Sequence, residues 1–319
     1  QYFVESKDKQ NVTLSLTDYL AKHYDKGIRP NCGSRTMVKM DIHIVSFGKI
    51  EEAQMEFSVF MYYRQSWHDE RLANLVNSTI VLSRGQIENL WFPDTFCANA
   101  KSSNLMMPDN QVHSTLLLDS NGSVFYSRGA HIIAACDMNL QDFPMDRQLC
   151  FLKFGSYGYS DSDIMLSWQN DYVNLENKEM AQFSIKDVVL SSYTTFYPTG
   201  NYTVLRAAFK MDRRFGYYVI QTYVPCTFLV MLSWIVFWMG TDETGNRLTV
   251  GITTILTIMF LLGYTNGSLP KVSYVKGIDM YLMVSFLFIF LSILECIIVD
   301  KFARREGKQK LTKVYSTCK

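Results

Sequence analysis

The chain changes its pattern near Arg214, and this change constrains the fold more than any other feature. Before that residue, short apolar runs alternate with polar residues and end in turn signals, as in Met40 to Val45 and Met55 to Tyr63. Such alternation is typical of strands with one buried face. After Arg214, three long apolar segments follow. One chain therefore combines a β half with a helical half.

The β half is predicted to be an antiparallel sandwich. Further strands are expected at Val112 to Leu118, Val124 to Ser127 and Ile132 to Ala135. The segment Asp119-Ser120-Asn121-Gly122-Ser123 predicts a hairpin turn, because Asn-Gly tolerates positive φ. A short N-terminal helix is expected over Leu14 to Tyr24, with Ser15 or Thr17 as its cap, since four apolar residues there fall at helical spacing: Leu16, Tyr19, Leu20 and Tyr24.

The helical half is predicted to cross a bilayer three times. The spans are Tyr217 to Met239, Leu248 to Tyr264 and Ile278 to Val299. Pro225 lies inside the first, where a membrane helix tolerates it if neighbouring groups satisfy the freed carbonyl. Basic residues follow the third span, so that end is predicted to be cytoplasmic and the β half to lie outside.

Composition excludes several classes of function. The net charge is +1, so nothing suggests a nucleic-acid partner. The sequence has no nucleophile elbow, no phosphate-binding glycine loop and no His–Cys metal spacing, so neither an enzyme, a metal site nor a cofactor is predicted. Five N-x-S/T sequons and a probable disulfide favour the secretory pathway. The sequons are Asn11, Asn77, Asn121, Asn201 and Asn266.

Cys136 and Cys150 enclose thirteen residues, which include Phe143-Pro144-Met145-Asp146. The spacing makes a disulfide plausible, although two cysteines never fix their own pairing. Two interpretations stay open: a staple across a hairpin, or a ring that contacts both halves of the chain. Seven cysteines leave at least one without a partner inside the chain, and a pairing of Cys32 with Cys97 is a further guess.

The second span carries a stripe of side chains at helical spacing. Thr249, Thr253, Leu256 and Phe260 follow one another at steps of four, three and four residues. In a bundle of identical helices this stripe would line a pore, with threonine rings and an apolar constriction. The alternative is helix–helix packing, in which threonine is also a common contact residue.

Several motifs spread over both halves carry a resemblance to a known family. They are the Cys136–Cys150 loop, Trp91-Phe92-Pro93-Asp94, Tyr62-Tyr63-Arg64-Gln65-Ser66-Trp67, and Arg214-x-Gly216-Tyr217-Tyr218 with Gln221, Tyr223, Pro225 and Ser233-Trp234-x-x-Phe237-Trp238. With these motifs the chain resembles subunits of pentameric Cys-loop ligand-gated ion channels, most of all the GABA- and glycine-receptor (anion-channel) branch. The resemblance covers almost the whole chain.

The resemblance implies an architecture and an assembly. Residues 1–214 would form an extracellular immunoglobulin-like β-sandwich with a short N-terminal helix. Residues 215–300 would form an all-α transmembrane bundle with spans at about 217–239, 247–265 and 278–299, and 301–319 would begin a cytoplasmic loop. The fourth helix of the family does not occur before Lys319. Four further homologous subunits, the same or different, would surround the pore in a plasma membrane, which could be postsynaptic.

The resemblance places an agonist site between two subunits. One face would use Phe96, Ser156, Tyr157, Tyr197, Thr199 and Tyr202, and the other Tyr62, Arg64, Ser127 and the strand around Leu116 to Leu118. The tyrosines suit an amine, and Arg64 suits a carboxylate. GABA and glycine subunits carry a glutamate where this chain has Gly155, so a small-molecule, amino-acid-like agonist is expected without a name.

The resemblance also implies roles at the pore and the coupling loop. Arg247 joins the predicted pore-lining residues, and Gly245-Asn246-Arg247 favours chloride over cations. Asp146 and Arg214 are predicted partners that couple agonist binding to gating. A cation-selective channel and a non-conducting accessory or binding subunit remain the alternatives.

Overall fold

The chain folds into two compact units. The computed structural model describes residues 16–105, 113–240, 243–267 and 269–317, with side chains up to residue 305. The first unit is built from Gln1–Glu51, Met55–Met138 and Gln148–Met211. The second is built from Glu52–Gln54, Asn139–Arg147 and Asp212–Lys319. Two short inner segments therefore belong with the helical part of the chain.

The first unit is a β-sandwich of two sheets, as predicted. Its strands are β1 (Thr36–Glu51), β2 (Glu56–His68), β3 (Ile80–Val81), β4 (Thr95–Cys97), β5 (Ala100–Ser103), β6 (Ser114–Leu118), β7 (Ser123–Ala135), β8 (Arg147–Ser156), β9 (Ile164–Trp168), β10 (Asn174–Leu175), β11 (Phe183–Tyr197) and β12 (Gly200–Arg213). The first sheet has the order β10-β1-β2-β7-β6-β3, with β9 also on β1 and β5 also on β7. The second sheet has the order β11-β12-β8-β4.

The core lies between the two sheets. Tyr63 of β2 packs on Phe154 of β8 with ring centroids 5.4 Å apart, and Phe57 packs on Phe209 of β12 at 6.3 Å. All four side chains are buried. Burying a large apolar side chain contributes about 1.5–3 kcal/mol, so these inward rows hold the sheets together.

One long strand replaces two that the sequence predicts separately. Val124 to Ser127 and Ile132 to Ala135 both belong to β7, which continues through Arg128. Arg128 is buried, and its guanidinium donates to the carbonyl oxygens of Leu105 at 2.8 Å and Asn104 at 2.9 Å. These bonds let a charged residue face the core without an interruption of the strand. The predicted turn over Asp119–Ser123 is confirmed, with Gly122 at φ 84°.

The N-terminal helix, α1, is helical over the described residues 16–23, and Leu16, Leu20 and Tyr24 are buried. The Tyr24 hydroxyl donates to Asp69 Oδ2 at 2.8 Å. Ser15, a predicted cap, and Val112, a predicted strand start, lie outside the described residues. A one-turn α-helix, α2 (Arg84–Ile87), and a 3₁₀ turn (Glu70–Leu72) are also described in this unit.

The guessed pairing of Cys32 with Cys97 is wrong. Cys32 lies in an exposed turn, whereas Cys97 is buried on β4, and both thiols are free. The alternation of β4 turns Cys97 toward the interior, out of reach of a surface cysteine. Burial raises the pKa of the Cys97 thiol to about 11.

The second unit contains three helices that are long and apolar enough to cross a membrane. These are α3 (Gly216–Trp238), α4 (Thr244–Gly267) and α5 (Gly277–Thr317), whose apolar part ends at Arg305. They correspond to the three predicted spans. Pro225 follows a π-helical stretch at Val219–Tyr223, and the Tyr223 carbonyl accepts from Thr227 at 2.8 Å and Tyr281 at 3.2 Å. These hydroxyls bond to the carbonyl two residues before the proline. The domain boundaries at 214 and 300 stay predictions.

Small and polar residues join the three helices. Ser292 donates to the Ser233 carbonyl at 3.3 Å, and Thr244 donates to Asp300 at 2.9 Å. Gly251 faces Ile293 so closely that an added Cβ would lie 2.4 Å from its Cγ1. Contacts of this kind drive helix association in a bilayer, where apolar burial gives little advantage.

We expect Gly251→Ala to lower the thermal unfolding midpoint of the purified chain in detergent. Overpacking costs about 1–3 kcal/mol, and the higher helix propensity of alanine recovers only about 1 kcal/mol. Gly263→Ala in the same helix is the matched control, because a Cβ there meets nothing within 4 Å. That variant should keep or raise the midpoint. A Gly251→Ala midpoint equal to that of Gly263→Ala would contradict the close packing.

Candidate functional site

The first predicted ligand face lies on the outer side of the first sheet. Arg64 of β2 pairs directly with Ser127 of β7 in the strand register, and Tyr62 lies two residues earlier on the same face of β2. Tyr62 is 39% exposed. Thr115 of β6 pairs with Ser127 and extends the row, whereas its neighbour Leu116 points inward and is buried. The structure therefore brings these three predicted residues together.

Arg64 already has an acidic neighbour within its own chain. Its Nη1 lies 3.3 Å from Asp41 Oδ2, and Asp41 is the residue directly opposite on β1. The other oxygen of Asp41 accepts from Asn170 Nδ2, also at 3.3 Å. Arginine carries five donors, so this monodentate contact orients the guanidinium and leaves further N–H groups for a ligand. The sequence analysis missed Asp41, although cross-strand pairing with Arg64 would have indicated it.

The second predicted face lies on the outer side of the second sheet. Phe96 of β4 packs edge-to-face on Tyr157, with ring centroids 5.7 Å apart, and Tyr157 is 77% exposed. Asp94 holds the loop that carries Tyr157, accepting from Ser156 Oγ at 2.5 Å and from the Gly158 amide at 2.6 Å. Ser156 is thus a support for the loop in this conformation. An exposed aromatic ring on a fixed loop is suited to contact a ligand.

The β11–β12 hairpin presents the remaining predicted residues. The rings of Tyr197 and Tyr202 pack at 5.7 Å, and the Tyr202 hydroxyl donates to Thr199 Oγ1 at 3.1 Å. Gly200 makes the turn at φ 136°, a conformation that other residues rarely adopt. The hairpin is exposed, and Tyr197 is 58% accessible.

The two faces point away from each other. Tyr63 and Gln65, the inward neighbours of Arg64, both hydrogen-bond to Thr95 Oγ1 at 2.7 Å across the sandwich. Because side chains alternate along a strand, Arg64 on β2 and Phe96 on β4 must then project from opposite outer surfaces. A site that uses both faces consequently needs a second copy or a homologous chain.

A disulfide closes the loop between Cys136 and Cys150, which have their Cα atoms 5.1 Å apart. Both cysteines belong to the first unit, whereas residues 139–147 of the loop belong to the second. The covalent ring therefore includes residues of both units.

The centre of the loop surrounds a buried charge. Arg213, the last residue of β12, makes two bonds to Asp146, from Nε at 2.7 Å and from Nη2 at 3.1 Å. Its Nη1 contacts Glu52 at 2.5 Å, and its guanidinium lies 4.7 Å from the ring of buried Phe143. Burial alone would lower the pKa of Arg213, but the two carboxylates outweigh burial and hold that pKa above its usual value. The sequence analysis did not identify Arg213, which alternation along β12 turns inward with Phe209 and Met211. Arg214 is exposed, and its pairing with Asp146 stays a prediction.

Carbonyl oxygens of the same loop cap the third apolar helix. The amides of Gly277 and Ile278, at the start of α5, donate to the carbonyls of Gln141 at 2.8 Å and Phe143 at 3.0 Å. The Tyr274 hydroxyl accepts from the Leu140 amide at 2.9 Å. The first amides of a helix have no hydrogen-bond acceptor within the helix. Here the covalent loop supplies carbonyl acceptors for two of them.

The helix α4 has two distinct faces. Its predicted pore-lining stripe of Thr249, Thr253, Leu256 and Phe260 is exposed, and Thr253 Oγ1 donates back to the Thr249 carbonyl at 3.0 Å. The buried face consists of Arg247, Gly251, Thr254, Ile258 and Thr265. Arg247 donates to the Met239 carbonyl. The structure therefore does not bring Arg247 together with the stripe, since it lies about half a turn away.

The predicted glycosylation residues that the structure describes are all exposed: Asn77, Asn121, Asn201 and Asn266. Asn266 lies in the last turn of α4, where its Oδ1 accepts from Lys276 at 2.8 Å. Asn11 lies outside the described residues. Glycosylation of these residues stays a prediction.

We expect Asp146→Asn to lower the thermal unfolding midpoint of the purified chain markedly. Breaking a buried ion pair costs about 3–5 kcal/mol, and the remaining contact with Glu52 places this variant at the low end of that range. Asp187→Asn is the control, since Asp187 pairs with Lys210 at 2.9 Å on the exposed surface. The control variant should have the same thermal unfolding midpoint as the unchanged chain. Equal midpoints for the two variants would show that the Asp146 pair is not a stabilising contact.

Comparisons with known proteins match both units. The neurotransmitter-gated ion-channel ligand-binding-domain model matches residues 13–215, and the model of the transmembrane region of the same channels matches residues 222–317. The chain is 38% identical to the gamma-aminobutyric acid receptor subunit beta-4 of Gallus gallus, over 94% of this chain and 63% of that protein. It is 36% identical to the subunit beta-like protein of Drosophila melanogaster, over 97% and 65%, and to the subunit beta of Lymnaea stagnalis, over 89% and 60%.

The chain spans about three fifths of the length of these relatives. The two family matches together cover the β-sandwich and all three apolar helices. The chain therefore belongs to the neurotransmitter-gated ion-channel family, whose members are channels and not enzymes.

Proposed function

We propose that the chain is a subunit of a ligand-gated ion channel in which a small molecule binds between subunits and opens a central pore. One observation carries this proposal: the two ligand faces project from opposite surfaces of one sandwich. The two faces of one chain cannot meet, so a neighbouring subunit must supply the second face of each site. A ring of five homologous subunits would repeat this contact and close on itself.

The proposed setting is a plasma membrane, with the sandwich outside and the chain crossing the bilayer several times. Three apolar helices support the crossing. The exposed sequons on the sandwich and the basic residues after the third apolar segment support the orientation. With the stripe of α4 turned outward from the other two helices, five copies would present Thr249 and Thr253 to a common axis.

The ligand that the two faces suit is small and carries a carboxylate. Arg64 supplies the cation for it, and Tyr157, Tyr197 and Tyr202 supply rings for the opposite end. The relatives named above are receptors for gamma-aminobutyric acid, which makes this amino acid the first agonist to test. Gly155 leaves the amine without a carboxylate, although a Cβ added there would find its nearest neighbour, the Thr203 carbonyl oxygen, at 3.7 Å. The missing carboxylate favours a second candidate function, in which the chain is an accessory subunit that binds an amine only beside a different subunit.

Chloride selectivity is proposed from the start of α4. Asn246 occupies the place where cation-selective relatives carry a glutamate, and its amide donates to Glu243 at 3.2 Å. The neutral amide orients the Glu243 carboxylate but does not remove its charge. Because Arg247 is buried in the described conformation, the proposal relies on the missing glutamate and not on a ring of arginines at the pore. A cation-selective channel is the alternative outcome.

Coupling between ligand and pore is proposed to run through the covalent loop. A ligand shifts an equilibrium between conformations only by binding one of them more tightly. Residues 139–147 contact both the start of α5 and Arg213, which precedes α3. A change in the position of this loop would therefore act on two apolar helices at once.

The central experiment is expression of the chain alone in oocytes with recording during application of gamma-aminobutyric acid and a panel of amino acids and amines. We expect an evoked current whose reversal potential follows the chloride gradient. Reversal that follows the sodium gradient would overturn the selectivity. A silent homomer that conducts only when co-expressed with a related subunit would replace the proposal with the accessory function.

We expect Arg64→Ala to raise the half-maximal concentration of a carboxylate agonist by at least about tenfold, since a hydrogen bond to a charged group contributes about 1.5–3 kcal/mol. Asp41→Asn should lower that concentration, because it keeps an acceptor beside Arg64 but removes the competing negative charge. Arg35→Ala is the control, as Arg35 is exposed just before β1. Equal responses of Arg64→Ala and Arg35→Ala would exclude Arg64 from the site.

A further inference from the structure

We propose that His43 and Glu176 form a proton-sensitive contact that holds residues 171–178 against β1. His43 lies on β1, with its Nε2 at 2.8 Å from Oε1 of Glu176, the residue that directly follows β10. Histidine is the side chain whose charge ordinarily changes between about pH 5 and pH 8. The contact is therefore an ion pair in mild acid and a hydrogen bond from a neutral ring in mild alkali.

Residues 171–178 are held to the sandwich mainly by their backbone. Each of them is at least partly exposed. The segment is attached to β1 by the two residues of β10 and by the Glu176 amide, which donates to the Ile44 carbonyl at 3.1 Å. Segments with few buried apolar contacts open at a small free-energy cost. One ion pair is consequently a large share of what keeps this segment in place.

Backbone hydrogen bonds fix both ends of the segment independently of pH. On one side the Gln169 amide donates to the Met40 carbonyl at 2.8 Å. On the other side the Ile185 amide donates to the Lys178 carbonyl at 2.9 Å. Opening can therefore release the residues between these two points while the two sheets stay folded. The amide protons of residues 171–178 report on such an opening.

The other charges around His43 leave Glu176 as its counter-ion. Asp41 lies two residues earlier on β1, and Arg64 lies opposite Asp41 on β2. These two residues pair with each other at 3.3 Å, so their charges offset one another. The remaining neighbours are aliphatic, aromatic or amide side chains: Val45 of β1, Phe60 and Tyr62 of β2, and Asn174 of β10. Protonation of His43 therefore turns a negatively charged pair into a neutral one.

His43 also contacts the proposed ligand face. Its ring is centred 5.9 Å from the ring of Tyr62, its partner in the strand register. Arg64 is a diagonal neighbour of His43 on the same face, at about 7–8 Å in ordinary sheet geometry. Protonation of His43 removes net negative charge beside the guanidinium that is proposed to bind a carboxylate. Mild acid should therefore favour a carboxylate ligand.

The test is amide hydrogen exchange of the purified full chain in detergent, with mass spectrometry of the peptides that cover residues 171–178. Each variant is compared with the unchanged chain at the same pH, so that the intrinsic effect of pH on exchange cancels. His43→Gln keeps a donor but cannot gain a charge. We expect this variant to exchange about threefold faster than the unchanged chain at about pH 5.5, the scale of one partly exposed ion pair, and at the same rate at about pH 8.

A second variant and a control complete this test. Glu176→Gln keeps an acceptor and removes the charge, so it should also exchange about threefold faster at about pH 5.5. The double variant should exchange no faster than either single variant, because both remove the same interaction. His131→Gln is the control, since His131 is an exposed histidine of the same sheet, opposite Phe60. Equal ratios at both pH values for His43→Gln, or a threefold effect in the control, would overturn the proposal.

The consequence for the agonist rests on the proposed function. In oocytes we expect the half-maximal concentration of gamma-aminobutyric acid to be about twofold lower at about pH 5.5 than at about pH 8. His43→Gln should remove this difference, and His131→Gln should keep it. A difference that survives His43→Gln would overturn the regulatory role. A chain that gives no current at either pH would contradict the proposed function and this role with it, whereas the exchange ratios decide the His43–Glu176 contact independently of channel activity.

Discussion

The two-residue period of β2 is the constraint on which the sandwich and its ligand faces both depend. Tyr63 and Gln65 reach across the core to Thr95, and this fixes which side of β2 faces inward. A slip of one residue would expose Tyr63 and bury Arg64, at the cost of the buried hydrogen bonds. Through the strand register, Ser127 of β7 and Asp41 of β1 point outward together with Arg64. Core packing therefore selects the residues that a ligand can reach.

The second unit is organised around a charge that cannot remain alone. Arg213 is fully buried, and removing an unpaired guanidinium from water would cost several kcal/mol. It is stabilised by Asp146 from the covalent loop and Glu52 from the β1–β2 connection, two acids far apart in the sequence. This requirement explains why two short segments between strands belong with the apolar helices.

Much of this architecture could be predicted from alternation and apolar length alone. The strands around Met40 and Met55 and the three apolar helices were predicted, because local patterning determines them. The predicted strands were too short, since β1 covers Thr36–Glu51 and β2 covers Glu56–His68. The contacts of Arg213 with Asp146 and of Asp41 with Arg64 were not predicted, because each depends on which strands become neighbours. Counting inward residues along β12 would have identified Arg213 as a further partner of Asp146. Cys32 and Cys97 show the same limit, since spacing says nothing about burial.

The capping of α5 by the covalent loop has a mechanical consequence. Two amides at the start of the helix are held by the carbonyls of Gln141 and Phe143, and an added Cβ at Gly277 would already lie 3.0 Å from the Phe143 oxygen. The loop and the first turn of α5 thus share one set of hydrogen bonds, with little room for slack. If the loop is displaced, that turn must either travel with it as a rigid lever or unwind and expose its amides to water.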